Sequence, residues 1–337
     1  MKRRAILVGA GGMGRAWARN LLKHPSVEIA AWVDTSLETA QKAAEEEGVS
    51  ALLTDDLGRA IAEAGAHFVV DVTPPEAHCA TTIQALEAGL PVLGEKPMAS
   101  SMDEARRMVA ASRKAGKLYM VSQSRRYHGQ LQAYKRMIAD SAGAPEILNS
   151  DFYIGAHFGG FRDEMDSPLL LDMAIHTFDA ARFLTDRDAV AVYCEEFNPS
   201  WSWYAGKACT VALFEMGGGL RYTYRGSWCA EGCHTSWESD WRAVGPKGTA
   251  VWDGSRPPRA EHVVAPGGFH SITENVQADV EDVAFGIEGS LAEFLHALDT
   301  GSTPNGECGD NIKSLAMVFG AQESAATGRR VRIEIGV

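Results

Sequence analysis

The stretch that decides the fold lies near the N-terminus, where residues 5–16 read AILVGAGGMGRA. The apolar run Ala5–Val8 has the length of a buried strand, and a helical pattern begins at Arg15. A glycine-rich turn of this spacing, between a strand and a helix, is typical of a βαβ unit whose helix N-terminus receives a pyrophosphate. The stretch therefore predicts a dinucleotide site. Its expected contacts are Gly9, Gly11, Gly12, Met13 and Gly14.

The first half of the chain alternates short β-branched runs with helical patterns. The predicted strands are Ala5–Val8, Val27–Val33, His67–Val72, Pro91–Leu93 and Leu118–Val121. The predicted helices are Arg15–Lys23, Thr39–Glu47, His78–Ala88 and Met102–Ala115. Alternation of this kind implies crossover connections and a parallel sheet. We therefore predict a doubly wound α/β domain of the Rossmann type over residues 1–123.

The second half has longer alternating strands and fewer helices. Strands are predicted at Ala189–Glu195, Ala208–Met216, Leu220–Trp228, Thr235–Val244 and Thr249–Trp252, with hairpin turns at Gly217–Gly219 and Gly245–Gly248. Helices are predicted at Gln130–Asp140, Asp172–Thr185, Ser290–Asp299 and Asn311–Thr327. This pattern favours an α+β domain over residues 124–337 with an open, mainly antiparallel sheet. One face of such a sheet needs a cover, so we expect a homodimer or homotetramer formed through it.

Composition excludes several classes of protein. The 337 residues are 45% hydrophobic and 23% charged, which are globular values. Lys+Arg of 32 against Asp+Glu of 44 gives a net charge of −12, which argues against a nucleic-acid partner. No apolar run approaches the ~18 residues of a membrane-spanning helix, and the N-terminal stretch does not resemble a secretory signal. The six scattered cysteines form no CxxC pair, so we expect reduced thiols, no metal site and a cytoplasmic location.

Asp34 follows the second strand, 20 residues after Gly14. An acid at this point hydrogen-bonds the ribose hydroxyls of a dinucleotide, and it repels the 2′-phosphate of NADP. No arginine follows it, since the next residues are Thr35 and Ser36. The sequence therefore predicts NAD rather than NADP. The alternative is an ordinary aspartate that caps the next helix.

Two further motifs follow predicted strands, where open α/β sheets bind their ligands. Thr73-Pro74-Pro75 ends one strand and would shape a wall of the site, although turn prolines have the same pattern. Glu95-Lys96-Pro97 follows another strand. An ammonium group at Lys96 could stabilise negative charge on a reacting oxygen, and the alternative is a solvated surface lysine.

The predicted helix that begins at Asp172 carries a second set of polar residues. Asp172 and His176 are four residues apart and share one helix face, and Asp179 lies one turn further. Histidine is a natural proton acceptor near neutral pH, and a nearby acid can orient it or hold substrate hydroxyls. The alternatives are an N-cap aspartate and a buried structural histidine.

Taken together, the motifs resemble the glucose–fructose oxidoreductase/inositol dehydrogenase/MocA family over nearly the whole chain. The resemblance extends to the C-terminal Ser324–Arg329, and it departs from the family pattern at Ser124, His128, Pro168 and Ala174. It implies that Lys96 and His176 are the catalytic pair and that Asp172 binds and orients substrate. It further implies that His78 and Glu95 belong to the cofactor site.

The expected reaction is hydride transfer between a nicotinamide cofactor and a secondary alcohol of a sugar, polyol or sugar-derived compound. The alternatives are an NAD-dependent glycoside hydrolase that oxidises its substrate transiently and a non-catalytic NAD-binding regulator. Candidate substrate residues share a position near the domain junction or ahead of the Asp172 helix; they are Arg126, Tyr127, His157, Phe158, Arg162 and Asp179. Trp201–Tyr204 is aromatic enough to stack on a sugar, although packing is its more common use.

Overall fold

The computed structural model describes residues 2–336, which form two compact units. Unit 1 comprises the chain up to Ser124, the segment Phe285–Ile312 and the residues from Ile335. Unit 2 comprises Arg125–Ala284 and Lys313–Glu334. The sequence analysis predicts a single domain over residues 124–337. In the structure, Phe285–Ile312 of that range packs within unit 1. One reason is the ring of Phe294, which lies 5.5 Å from that of Phe68 in the core of unit 1.

The first 124 residues alternate strands with helices. The elements are β1 (Arg3–Val8), α1 (Gly12–Lys23), β2 (Val27–Val33), α2 (Leu37–Glu47), β3 (Leu52–Thr54), α3 (Leu57–Glu63), β4 (Phe68–Asp71), α4 (Pro75–Glu87), β5 (Val92–Gly94), α5 (Met102–Ala115) and β6 (Tyr119–Val121). The strands form one parallel sheet in the order β3-β2-β1-β4-β5-β6. The doubly wound Rossmann prediction is confirmed. Only β3 and α3 lacked a prediction, and β3 has three residues.

After Ser124 the chain forms the elements of unit 2 and then re-enters unit 1. The elements are α6 (Gly129–Met137), β7 (Ile147–Tyr153), α7 (Phe161–Glu164), α8 (Ile175–Thr185), β8 (Ala189–Phe197), β9 (Cys209–Met216), β10 (Arg221–Ser227), β11 (Asp240–Gly245), β12 (Gly248–Trp252), β13 (Arg259–Ala265), β14 (Ile272–Gln277), α9 (Gly286–Thr300), α10 (Cys308–Thr327) and β15 (Val331–Arg332). Short π-helical segments cover Ile138–Ala142 and Leu169–Ala174.

The sheet of unit 2 has nine strands in the order β14-β13-β12-β11-β7-β10-β9-β8-β15. Its strand pairs are antiparallel except for β7 and β10, so the prediction of a mainly antiparallel sheet is confirmed. Both predicted hairpins are present: Gly217–Gly219 joins β9 to β10, and the turn after Gly245 joins β11 to β12. The sequence patterns did not indicate β7, β13, β14 or β15.

The predicted strand Thr235–Val244 is wrong over its first half. Residues 235–239 form a turn, and β11 begins only at Asp240. Ser239 has a φ of +70°, and its N–H donates to the carbonyl of Ser236 at 3.2 Å. These are turn features that a polar–aromatic alternation does not reveal.

The two faces of the unit 2 sheet differ in what they contact. Phe214, Tyr222 and Tyr224 are buried on one face. On the other face Val211 and Leu213 are exposed. Apolar side chains left on one face of a sheet indicate a surface that another molecule can cover. In residues 2–336, no helix combines the length and the apolar character needed to cross a membrane.

Candidate active site

The glycine turn between β1 and α1 divides into crowded and open positions. Gly9 has a φ of +103°, and a Cβ there would lie 2.7 Å from the carbonyl oxygen of Val72. A Cβ on Gly14 would lie 2.1 Å from the carbonyl oxygen of Gly9, so the helix packs directly on the turn. By contrast, a Cβ on Gly11 or Gly12 would meet nothing within 4 Å. The open positions stand where α1 begins, and its first turn carries no acidic side chain.

Asp34 is tied to this turn. Its Oδ2 accepts the N–H of Ala10 at 2.8 Å, and its Oδ1 accepts the N–H of Ser36 at 2.9 Å. Ser36, rather than Asp34, caps α2 by accepting the N–H of Thr39. The capping alternative for Asp34 therefore does not describe this structure. The carboxylate lies at the end of β2 beside the open glycines, which is the place of a ribose-binding acid.

Asp71 organises the end of β4 and was not singled out from the sequence. Its carboxylate is fully buried. It accepts the hydroxyl protons of Thr73 at 2.6 Å and Thr82 at 2.9 Å, and it lies 3.1 Å from Nδ1 of His78. These contacts fix Thr73 and His78 around the start of α4, for which Pro74 is the N-cap and Pro75 the first residue. The Thr73-Pro74-Pro75 motif is thus a rigid corner at the carboxyl edge of the sheet.

Glu95 and Lys96 follow β5 at the same edge. The main-chain N–H of Glu95 donates to the carbonyl of Asp71 at 2.8 Å. Glu95 Oε1 accepts the indole N–H of Trp17 on α1 at 2.8 Å, and Oε2 accepts the N–H of Lys96 at 3.0 Å. Burial raises the pKa of the Glu95 carboxyl, whereas the Trp17 hydrogen bond and the charge of Lys96 oppose that rise. The Lys96–Pro97 peptide is cis.

The residues of this edge fit a dinucleotide. The space above Gly11 and Gly12 leaves main-chain N–H groups of α1 accessible to a pyrophosphate, and the helix dipole favours negative charge there. Asp34 offers a carboxylate for ribose hydroxyls. Met13 is 48% exposed at the start of the helix, so its side chain can contact a bound ligand. In the part of the chain that the structure describes, no three His, Cys, Asp or Glu side chains gather as metal ligands.

In unit 2, Asp172 and His176 lie where a π-helical segment passes into α8. Such segments widen a helix locally and are frequent at functional sites. Both side chains are half-buried, whereas their neighbours Met173, Ile175 and Thr177 are buried. Asp172 and His176 are therefore the members of this segment that combine polar chemistry with access to solvent.

Arg162 is the principal described partner of Asp172. Its Nε lies 2.6 Å from Asp172 Oδ2, and a third of the Arg162 side chain is exposed. The guanidinium carbon also lies 5.0 Å from the ring centre of Phe158 and 4.8 Å from that of Phe161, within the range of cation–π attraction. The prediction of Arg162 as a substrate contact is compatible with this position.

Arg126 and Asp179 have a different environment. They form a buried bidentate pair at 2.8 and 2.7 Å, and Asp179 also accepts the hydroxyl proton of Ser314 at 2.6 Å. Both side chains are at least 94% buried. Tyr127 is likewise buried. This geometry gives Arg126, Tyr127 and Asp179 a structural role in unit 2, and we leave them out of the proposed substrate contacts.

A cluster of aromatic rings surrounds Arg162. His157 stacks on Trp203 with ring centres 3.7 Å apart and pairs with Glu231 at 2.7 Å. The remaining ring contacts join Trp203 to Tyr204, Tyr204 to Trp228, Trp228 to Phe158, and Phe158 to Trp237. Trp201 is 72% exposed. Sequence reasoning missed Phe161 and Trp237; the misread turn at residues 235–239 concealed the second.

Two family models match this chain. The first, described as an oxidoreductase family with an NAD-binding Rossmann fold, matches residues 3–123. The second, the C-terminal domain model of the same family group, matches residues 103–251. The first model covers the glycine turn, Asp34 and Lys96. The second covers Arg162, Asp172 and His176.

Similar proteins include a reductase and a dehydrogenase, as their names state. The chain is 27% identical to 1,5-anhydro-D-fructose reductase of Ensifer adhaerens over 98% of each chain. It is 33% identical to inositol 2-dehydrogenase of Renibacterium salmoninarum over 55% of this chain and 56% of that one. A crystal structure of an oxidoreductase from Agrobacterium radiobacter, in complex with NAD+, L-tartaric acid and magnesium, superposes with a TM-score of 0.86 at 23% identity, covering 99% of both chains.

Proposed function

Because this chain belongs to the Gfo/Idh/MocA oxidoreductase family and carries its NAD-binding Rossmann domain, we propose that it oxidises a secondary alcohol of a sugar or polyol with NAD. The reductase and dehydrogenase relatives act on compounds of this kind, as their names state. The proposal extends their chemistry to this chain.

One observation carries the proposal. Trp17 on the helix that starts at the glycine turn donates to Glu95, and Glu95 accepts the N–H of Lys96. The backbone of Lys96 is thereby fixed at the sheet edge that carries the dinucleotide motif. A lysine held at such a place can donate to the oxygen of a substrate bound beside a nicotinamide.

The residues have complementary roles in the proposed reaction. The ammonium of Lys96 stabilises the substrate oxygen as it gains negative charge, and the imidazole of His176 accepts the hydroxyl proton. The carboxylate of Asp172 accepts a hydrogen bond from a neighbouring hydroxyl and so orients the reacting carbon. When bound, NAD supplies the hydride acceptor. General-base catalysis of this kind contributes about 10²–10⁴-fold.

The experiment replaces the proposed base and follows two properties. We expect His176→Asn to lower kcat by about 10²–10⁴-fold. Its NAD affinity, measured by calorimetry, should equal that of the wild type. Lys96→Met is expected to lower kcat similarly. His270→Asn, at an exposed histidine outside the site, is the matched control and should keep the wild-type rate. A wild-type rate in His176→Asn would contradict the assigned role.

The same assays separate the alternatives. NADH absorbance is measured with a panel of sugars, inositols and sugar acids, with NAD and NADP in parallel. A glycoside hydrolase that oxidises its substrate transiently would release product without net NADH. A regulator would bind NAD, turn over nothing and be insensitive to Lys96→Met. Net NADH formation that requires Lys96 supports the dehydrogenase.

The exposed face of the unit 2 sheet supports an oligomer of this chain, as the sequence predicts. Beside Val211 and Leu213 the face forms a shallow cavity of about 1260 Å³, lined also by Asp151, Arg225 and Arg242. A mixed apolar and charged surface suits a second copy, because acidic and basic groups can pair across a twofold axis. We expect a dimer or tetramer in light scattering, and a smaller species for Leu213→Asp. An unchanged mass would place the contact elsewhere.

The cytoplasmic location stays a prediction.

A further inference from the structure

The aromatic cluster of unit 2 exposes more ring surface than one sugar ring needs. Phe158 is 44%, Phe161 67% and Trp237 48% exposed, although large aromatic side chains are usually largely buried. The guanidinium carbon of Arg162 lies 5.0 Å from the ring centre of Phe158, which in turn lies 6.3 Å from that of Trp237. The exposed aromatic surface therefore begins at Arg162, the partner of Asp172, and continues through Phe158 to Trp237.

Trp237 is anchored to the helix that carries the candidate base. Its neighbour Glu238 lies 3.5 Å from the guanidinium of Arg125, which also contacts the sulfur of Met173 at 3.7 Å. Ser239 lies 3.4 Å from the hydroxyl of Thr177, which follows His176. The turn with Trp237 thus contacts the neighbour of His176 directly and the neighbour of Asp172 through Arg125.

The backbone of the segment that follows Phe161 is also held in place. The N–H of Ala205 donates to the carbonyl of Asp163 at 2.7 Å, and that of Lys207 donates to Asp166 at 2.8 Å. A Cβ on Gly206 would lie 2.1 Å from the carbonyl of Met165, so the two loops touch backbone to backbone. These contacts fix the backbone of residues 163–166, which follow Phe161, so a ligand need not order that segment on binding.

The guanidinium of this surface already has an acidic partner. Arg162 is paired with Asp172, and the ring of His157 hydrogen-bonds to Glu231. A carboxylate ligand would have to compete with Asp172 for the guanidinium of Arg162. The negative charge of Asp172 would also repel such a ligand. A neutral ligand meets both a carboxylate acceptor and remaining guanidinium N–H donors, together with aromatic faces.

On these grounds we propose that the substrate is a neutral two-ring glycoside, with its reacting sugar at Asp172 and His176 and its second ring stacked on Trp237 and in edge contact with Phe158, whose ring is inclined by 55° to that of Trp237. This inference rests on the proposed function for its first ring only. It makes Trp237 and Phe158 specificity-determining residues. Stacking of one ring on another contributes about 0.5–1.5 kcal/mol beyond burial, which corresponds to about 2- to 13-fold in affinity.

The test compares phenyl glycosides with the matching methyl glycosides of glucose, galactose, mannose and xylose. Binding to the full chain with NAD present is measured by calorimetry, and NADH formation is measured separately. For at least one sugar we expect the phenyl glycoside to bind about 2- to 13-fold more tightly than its methyl counterpart. Trp237→Leu should remove that ratio, and Trp237→Phe should restore most of it.

Controls separate a specific contact from a folding defect. Phe269→Leu removes a ring that is 96% exposed and should leave the phenyl-to-methyl ratio unchanged. Thermal unfolding should show Trp237→Leu folded, and light scattering should give it the wild-type mass. If Trp237→Leu alters the oligomeric mass, the rings form a contact between copies and the proposal is wrong.

The outcomes distinguish this inference from the proposed function. A phenyl-to-methyl ratio near one for every sugar, or no binding of any glycoside, overturns the inference even if polyols yield NADH. Binding that depends on Trp237 supports the inference, and the dehydrogenase is contradicted separately if no glycoside, sugar or polyol yields NADH. Equal loss of phenyl and methyl glycoside binding in Trp237→Leu also overturns the inference, because Trp237 would then not contact the second ring of the ligand.

Discussion

The cofactor side of unit 1 and the candidate substrate side of unit 2 are built in opposite ways. In unit 1, many contacts lie within short motifs, as those of Lys96 with Glu95 and Thr73 with Asp71, and the hydrogen bond from Trp17 to Glu95 links two such motifs. In unit 2, Asp172 pairs with a residue of another segment, and the rings beside it come from residues 157–161, 203–204 and 228–237. Backbone geometry therefore fixes most of the proposed cofactor contacts. Side chains of distant segments, which can change without changing the fold, form the proposed substrate surface.

The largest effect we predict separates two arginine–aspartate pairs of unit 2. Arg126→Met leaves Asp179 buried without its principal partner and should lower the free energy of unfolding by about 3–5 kcal/mol. Arg162→Met breaks a pair that water reaches and should cost about 0–1 kcal/mol. Urea unfolding measures both.

The two variants also differ in function. Arg162→Met should weaken glycoside binding while the protein stays folded, because Asp172 loses its described partner. If Arg162→Met destabilises the protein as much as Arg126→Met, the Asp172 pair is structural. The distinction between a rigid interior and a variable substrate surface in unit 2 would then fail.

In unit 1 the sharpest contrast is within the glycine turn. A Cβ on Gly14 meets the carbonyl of Gly9 at 2.1 Å, so Gly14→Ala should lower stability by about 3 kcal/mol. Gly11→Ala meets nothing within 4 Å and should leave the melting temperature nearly unchanged. It should nevertheless weaken NAD binding about tenfold or more, because the methyl group enters the space of the pyrophosphate. Full NAD affinity in Gly11→Ala would remove that position from the site.

The sequence predicted unit 1 well because its signals are local. Strand, turn and helix follow one another at Gly9–Gly14, and the Thr73-Pro74-Pro75 and Glu95-Lys96-Pro97 motifs adjoin their strands directly. Asp71 was missed although it stabilises the same edge. A buried aspartate inside an apolar run shows its role only when Thr73, Thr82 and His78 are seen around it.

Unit 2 was less predictable because its contacts join distant segments. Arg126 and Arg162 are equivalent in the sequence, and only burial distinguishes a structural arginine from an exposed one. The strand β7 was not indicated, although it pairs with both β10 and β11. Trp237 was assigned to a strand because polar and aromatic residues alternate around it, and that pattern does not encode the turn at Ser239.

A smaller effect tests the cofactor preference of unit 1. Asp34→Ser removes the carboxylate that we propose binds the ribose, and we expect NAD affinity to fall about tenfold while NADP affinity rises. Asp34 also accepts two main-chain N–H groups, so Asp34→Asn is needed to retain an acceptor without the charge. Calorimetry with both dinucleotides measures the change. An unaltered NAD-to-NADP ratio in both variants would exclude Asp34 from cofactor selection.

The smallest effect concerns the carboxyl that anchors Lys96. Burial raises the pKa of Glu95 above its ordinary value of 4.5, so the folded state binds its proton more tightly than the unfolded state does. The charged form consequently destabilises the protein, and this cost is absent below pH 4.5 and grows as the pH rises through the folded pKa.

Glu95→Gln lacks this titration, so its free energy of unfolding should increase relative to the wild type as the pH rises. Trp17→Phe removes a hydrogen bond that lowers the pKa of Glu95, and it should move the change to higher pH. Urea unfolding between pH 4 and 8 measures both, with Glu274→Gln at an exposed carboxyl as the control. A difference between Glu95→Gln and the wild type that does not vary with pH would mean that Glu95 titrates alike in both states. Folding would then not change the pKa of the carboxyl that anchors Lys96. Burial would in that case no longer distinguish this edge of the unit 1 sheet from the exposed surface of unit 2.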